Sequence, residues 1–422
     1  MKKFKSTMTL FLCLAMLLPL AALTGCEQVR ATDLMADVRA EKVSGKEPDA
    51  AFVRAGTAFA LSLFQETLRQ EEEEGEGNIL ISPLSLWLAL SMTANGAAGG
   101  TRAQMEHLLG GDIPLETLNE YLYSYVKDLP SGSKYKLSRA NSVWMREGRI
   151  EVKKDFLQAS ANYYGAAAYA APFDTDTVRD VNGWVKKHTD GMIDGILQDI
   201  DPQTVMLLIN ALAFDAAWEE PYTKTDVRDE TFTAVTGEKK RVPMMHSREQ
   251  VYLEDDNATG FIRYYKDKKY GFAALLPNEG VDIYEYIASL TPEDLQKTLD
   301  KASSLSVQVA MPKFESDYRI KMNDVLKSLG MVDAFGAGAD FSRLGTSADG
   351  VLYVGEVLHK TYISVDEDGT KAGAASVVAM EDEGVFVVDG RYVRLDRPFA
   401  YMILDCETNL PIFIGMVADI QN

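Results

Sequence analysis

Hydrophobic residues between Pro83 and Ala94 leave no polar stripe, so this segment predicts a helix buried on nearly all sides. Ser82 before Pro83 supplies a capping hydroxyl ahead of a proline at the first helical position, which marks the helix start. Asn78-Ile79-Leu80-Ile81 just upstream reads as a strand. A helical pattern runs from Ala51 to Leu68, and Glu71 to Glu74 with Gly75 and Gly77 reads as an exposed loop, since charge runs are usually solvated. The first half continues with a strand at Ser142 to Met145, a helix at Val181 to Thr189 and a strand at Val205 to Phe214.

The second half is richer in strand patterns, at Val251 to Leu253, Gly271 to Leu276, Leu305 to Met311, Tyr362 to Val365, Phe399 to Leu404 and Ile412 to Val417. Two helices interrupt them. Thr291-Pro292-Glu293-Asp294 signals one start, and Met322 to Leu329 is an amphipathic helix ending at Gly330. No fixed-period repeat, linker or composition break follows residue 48. The pattern therefore predicts one α+β domain over residues 49–422 with large, mostly antiparallel sheets.

Residues 367–398 behave differently. An acidic turn with Gly369 leads into small residues and valines, with no proline before Pro398. At a period of two, Thr370, Ala372, Ala374, Ser376, Val378 and Met380 form an uncharged set. The alternate set, from Lys371 to Glu381, carries charge at both ends. Such alternation fits a half-buried strand, yet the stretch is placed as a long loop, and long ordered loops tend to be functional. It reads as a loop able to become a strand.

The amino terminus has its own signature. Lys2, Lys3 and Lys5 precede an apolar run from Leu10 to Leu23 that is too short for a span and ends in Leu23-Thr24-Gly25-Cys26. Residues 1–25 read as a signal peptide. The ending resembles a bacterial lipobox, with Cys26 as the lipidated residue, because the small residues and Cys26 fall together at the end of the apolar run; the alternative is an ordinary secretory signal with an incidental cysteine. Residues 26–48 are polar and read as a flexible spacer. The formal net charge of −20 disfavours nucleic acid and anionic lipid as partners. Of three cysteines, Cys13 leaves with the leader and Cys26 takes the lipid. The remaining Cys406 reads as a small core hydrophobe and not a nucleophile.

Catalytic signatures are missing. The chain has no HExxH, GxSxG, GxxxxGK[ST] or GxGxxG, and His107, His188, His246 and His359 lie far apart with no ligand spacing. The expectation is a non-enzyme with no metal and no cofactor, although missing motifs alone do not exclude an enzyme, because triads are defined in space.

Several separated segments then resemble the serpin family, over about residues 50–422. They are Asn78 to Ser85, Asn95-Gly96-Ala97 with Gly100-Thr101 and Gln104, Asn210 to Phe214 with Trp218 and Pro221, and Val242 to Met245. Leu276 to Gly280, Met311 to Phe314, Leu329 to Met331, Ala339 to Ser342, His359-Lys360, the hinge from Glu367 to Ser376, Arg397 to Phe399 and Pro411 to Gly415 follow in family order. The resemblance implies three β-sheets flanked by about eight to nine helices, with an exposed reactive loop at about residues 367–391. It also implies a suicide-substrate mechanism: a serine or cysteine endopeptidase cuts the loop, is trapped as an acyl-enzyme, and is carried across the molecule as the loop inserts into the main sheet.

The resemblance assigns residues to parts. The hinge is Glu367, Gly369, Thr370, Ala372, Ala374, Ala375 and Ser376. Insertion buries every second side chain, and Thr370, Ala372, Ala374 and Ser376 are small and uncharged there, while Lys371 stays on the alternate face. Gly373 stands where the family more often has alanine. Ser82, Ser85, Asn210 and His359 match the polar shutter beneath the sheet, a role compatible with Ser82 also capping a helix and His359 also being a satisfied core histidine. Trp218 matches the breach position.

The family spacing counted forward from Thr370 implies cleavage at Glu383–Gly384; counted back from Pro398 it falls near Val387. The forward count is preferred because the inserted strand, at about 3.3 Å per residue, sets how far the protease travels. A surplus then lies between Gly384 and Arg391. Glu383 suits a glutamate-specific protease, while Met380, Phe386 or Val388 are the alternative target residues if the acidic trio is only a solubilising tip. A monomer is expected, anchored by lipid at the cell envelope, on the outer membrane or cell surface, or in the extracellular space. The alternative is a non-inhibitory serpin acting as a binding or structural surface lipoprotein; such members usually show bulky, charged or proline residues in the hinge, and this hinge shows none on its inserting face.

Overall fold

The Pro83–Ala94 helix is buried at every one of its 12 positions, and the Ser82 side chain accepts from the Ser85 N–H at its start. Around it, the computed structural model describes residues 30–74, 77–129, 132, 135–302, 304–347, 350–370 and 390–420. Nine α-helices and four sheets form among these residues.

The main sheet has seven strands in the order Thr32–Asp33, Ala167–Ala171, Tyr135–Arg146, Met206–Ala217, Gly369–Thr370, Glu356–Val365 and Phe314–Lys321. A six-stranded sheet contains Ile79–Ile81 and the strands Phe399–Asp405 and Pro411–Val417. A four-stranded sheet is built from Val227–Thr233, Lys239–Glu249, Val307–Pro312 and Tyr392–Arg394, and a two-stranded ribbon accompanies them. The main sheet is mixed but mostly antiparallel, with two parallel pairings. Glu356–Val365 runs parallel to Met206–Ala217, and Tyr135–Arg146 runs parallel to Ala167–Ala171.

Met206–Ala217 is covered on both faces, which explains its unbroken apolar run. Leu208, Leu212 and Phe214 join the large core beneath the sheet. Leu207, Ile209 and Ala211 pack in a second core with Trp144, Val181 and Trp184. That second core lies under the Thr175–His188 helix, whose start is fixed by a capping box at Asp174. Asn210 falls in step with Leu208 and Leu212, so a polar amide points into the large core.

Two expectations are corrected. Glu71 to Glu74 are not a loop but the last turn of the Ala50–Glu74 helix, where Glu71 accepts a bond from the Tyr318 hydroxyl at 2.7 Å. The spacer, in the part described from residue 30, runs against the body. Thr32 and Asp33 pair with Ala170 and Tyr169 at the edge of the main sheet, and the Leu34 N–H donates to Ala168 O at 2.9 Å. Leu34, Met35 and Val38 pack on the core, and the Lys46 N–H reaches Glu120 O at 3.1 Å. Three apolar side chains at near-helical spacing and an open sheet edge give this polar segment a docking place. No helix among the described residues is long and apolar enough to cross a membrane.

Candidate functional site

Four residues from three distant segments meet beneath the main sheet. The Ser82 N–H donates to His359 Nε2 at 3.0 Å, and the Ser82 hydroxyl donates to Ile412 O at 2.9 Å. Because Nε2 accepts, the proton of the neutral ring sits on Nδ1, which donates to Asn210 Oδ1 at 2.5 Å. Asn210 Oδ1 also accepts from the Ser85 hydroxyl at 2.8 Å, and its Nδ2 donates to Asn141 Oδ1 at 2.6 Å. All four side chains are buried, and burial depresses His359 to about 3. The cluster therefore joins the buried helix to the two central strands, His359 and Asn210 being direct neighbours in the parallel ladder. Thr361 adds a bond from its hydroxyl to Leu80 O at 2.7 Å.

The same two strands part near their far ends. Their direct pairing runs from Glu356 opposite Leu207 to Tyr362 opposite Ala213. Beyond it Gly369 and Thr370 stand between them, antiparallel to Ala217 and Ala216, with Thr370 also opposite Val365. The Asp366 side chain shapes the preceding turn by accepting from the Asp368 and Gly369 N–H groups at 2.8 and 3.1 Å. A Cβ at Gly369 would lie 2.1 Å from Ala216 O, so only glycine fits this approach. Thr370 is fully buried, and its hydroxyl meets the Tyr265 hydroxyl at 2.5 Å.

A clasp grips this hinge. The Trp218 N–H donates to Asp368 O and its indole Nε1 to Asp366 O, both at 2.9 Å. The Tyr222 N–H donates to Glu367 O at 2.9 Å, and Lys313 pairs with the Glu367 carboxylate. Burial opposes the Glu367 charge, but the Lys313 ammonium and a backbone N–H together hold the carboxyl below its usual range. Behind the clasp, Arg263 lies over Tyr222 at 3.9 Å and over Trp218 at 5.0 Å, and pairs with Glu249.

Of the expected residues, Ser82, Ser85, Asn210 and His359 come together, and Trp218, Glu367, Gly369 and Thr370 form a second group. Ala372, Ala374, Ala375, Ser376, Glu383, Gly384 and Cys26 lie outside the described residues. Asn141, Tyr222, Tyr265 and Arg263 were missed. Only Asn141, just before an apolar strand pattern, carried a usable signal, as a polar residue at an inward position. Among the described residues no group of three His, Cys, Asp or Glu side chains is placed to hold a metal.

The family model described as serpin (serine protease inhibitor) matches residues 54–420. A serpin-like protein of Thermococcus kodakarensis is 32% identical over 365 residues, covering 84% of each chain. The crystal structure of tengpin, a thermophilic serpin, in its native state has a TM-score of 0.89 at 48% identity, covering 93% of this chain and 100% of that one. Its latent state gives 0.79 at the same identity, covering 89% and 100%, so the present fold is closer to the native arrangement. Thyroxine-binding globulin in complex with thyroxine has a TM-score of 0.77 at 25% identity, covering 88% and 99%. The chain belongs to the serpin family, whose members are generally protease inhibitors.

Proposed function

We propose that this chain is a suicide-substrate inhibitor of serine endopeptidases, acting through insertion of its reactive loop into the main sheet. The supporting observation is the buried rung at Gly369 and Thr370, which already occupies the place between the two central strands. From Thr370 onward the inward-facing positions in sequence are Ala372, Ala374 and Ser376, small enough to follow it. The protease nucleophile attacks the Glu383 carbonyl, the bond to Gly384 breaks, and the enzyme is left esterified to Glu383. Insertion of the residues before the cut then draws the ester away from the loop's original end.

The acidic residues Glu381, Asp382 and Glu383 suit a protease whose pocket is basic. Mixing the chain with a glutamate-specific serine protease is expected to give a covalent complex that survives denaturing electrophoresis. The released fragment should begin at Gly384. Cleavage at another bond contradicts the assigned position, and turnover with no complex contradicts inhibition. The proposal extends to a lipid anchor at Cys26, tethering the inhibitor at the cell envelope; Cys26→Ser should release it into the soluble fraction.

A further inference from the structure

We propose that Tyr265 is a positioning residue for loop insertion, its hydroxyl holding Thr370 as the first rung and so setting the register of the strand that follows. The kinetic half of this proposal rests on the inhibitory reading; the structural half does not.

The Tyr265 ring has little freedom. It stacks on Trp218 with centroids 4.5 Å apart and planes 11° from parallel, and meets Phe214 edge-on at 5.1 Å. Its backbone forms a bridge with Trp218, and its N–H donates to Tyr270 O at 3.0 Å. Trp218 is itself tied to Asp366 and Asp368 and backed by Arg263. The phenol oxygen is thus presented at a fixed point inside the sheet. Thr370 Oγ1 lies 2.5 Å from it, and both residues are fully buried, so either hydroxyl without the other is stranded away from water.

This contact selects a register. A slip of one residue in a strand exchanges its two faces. With Thr370 inward, Ala372, Ala374 and Ser376 follow inward and Lys371 stays outward. A slip by one would bring Lys371 inward instead, with an unpaired charge among apolar side chains. The hydroxyl at 265 discriminates between these outcomes, because Lys371 offers no matching short hydroxyl. It also places one rung before the cut, so insertion has only to propagate.

The substitution Y265F keeps the ring and its stacking and removes one oxygen. In the intact protein, without protease, hydrogen exchange over residues 366–370 should quicken about tenfold, the scale of one buried hydrogen bond, while the rest of the main sheet is unchanged. T370V should do the same, and the double variant should exceed neither, because a single bond is lost in all three. With a protease that forms the complex, Y265F should raise the number of inhibitor molecules consumed per enzyme severalfold. Unchanged exchange, exchange raised evenly over the sheet, or additive substitutions would overturn the positioning role. An unchanged consumption ratio would overturn its effect on insertion. Failure of the inhibitory reading shows separately, as an unsubstituted chain that traps no protease while the exchange result still decides the clasp.

Discussion

The backbone N–H of Ser82 donates to Nε2 of His359, so the buried helix is tied at its first turn to a central strand through a histidine that must stay neutral. A protonated ring would present a donor to a donor in a place without water. With the folded pKa near 3 and an unfolded value near 6.5, the unfolded chain binds a proton that the folded chain refuses throughout this window.

Stability should therefore fall as pH drops below about 6.5, by up to about 1.4 kcal/mol per unit. Denaturant midpoints at pH 7.5, 6.5 and 5.5 read this directly. His359→Gln should be less stable at pH 7.5 yet lose the extra decline between pH 6.5 and 5.5. An equal decline in the variant would place the titrating group elsewhere.

Gly369→Val puts side-chain atoms where Ala216 O already lies. Expulsion of Gly369 and Thr370 from the main sheet is the expected response, at a cost of about 1–3 kcal/mol. Limited proteolysis should then cut near residues 366–370, bonds that stay protected in the unsubstituted chain. Unaltered protection would show that the sheet accommodates the larger residue.

Lys313→Ala removes the partner of Glu367, but both side chains are partly exposed, at 28% and 34%. The effect on global stability should be below about 1 kcal/mol. Exchange at residues 366–370 should rise even so, because the ion pair acts on the hinge alone. A large fall in melting temperature with no local change would contradict this division.

Truncation before residue 49 removes the strand at Thr32–Asp33 and uncovers the edge at Ala167–Ala171. Hydrogen exchange at residues 167–171 should quicken, while the buried Pro83–Ala94 helix keeps its protection. Equal exchange in both chains would mean that the segment lies on the surface without holding it.

Local signals were legible where one segment settles its own fate. Ser82 and Pro83 announced the helix that the structure contains, and the apolar run from Val205 to Phe214 announced a central strand. The shutter set came from resemblance, and the reason for it is visible only in space, where His359 and Asn210 become ladder neighbours. Tyr265 was not legible, because its partner Thr370 is 105 residues away and nothing local sets it apart from the chain's 19 tyrosines. The docking of residues 30–48 was hidden for a related reason. Leu34, Met35 and Val38 are too few to stand out in a polar segment, and the edge that receives them forms only after the sheet does. Glu71 to Glu74 misled because four acids resemble a solvated loop, while the helix beneath them simply continues.

The central claim is that a severed loop enters the main sheet behind Thr370. The most direct test is the melting temperature of the purified chain before and after a single cut within residues 371–389. Insertion adds a full strand to the sheet, so the cut chain should melt well above the intact one and resist denaturant that unfolds it. A cut chain that melts at or below the intact temperature would contradict the account.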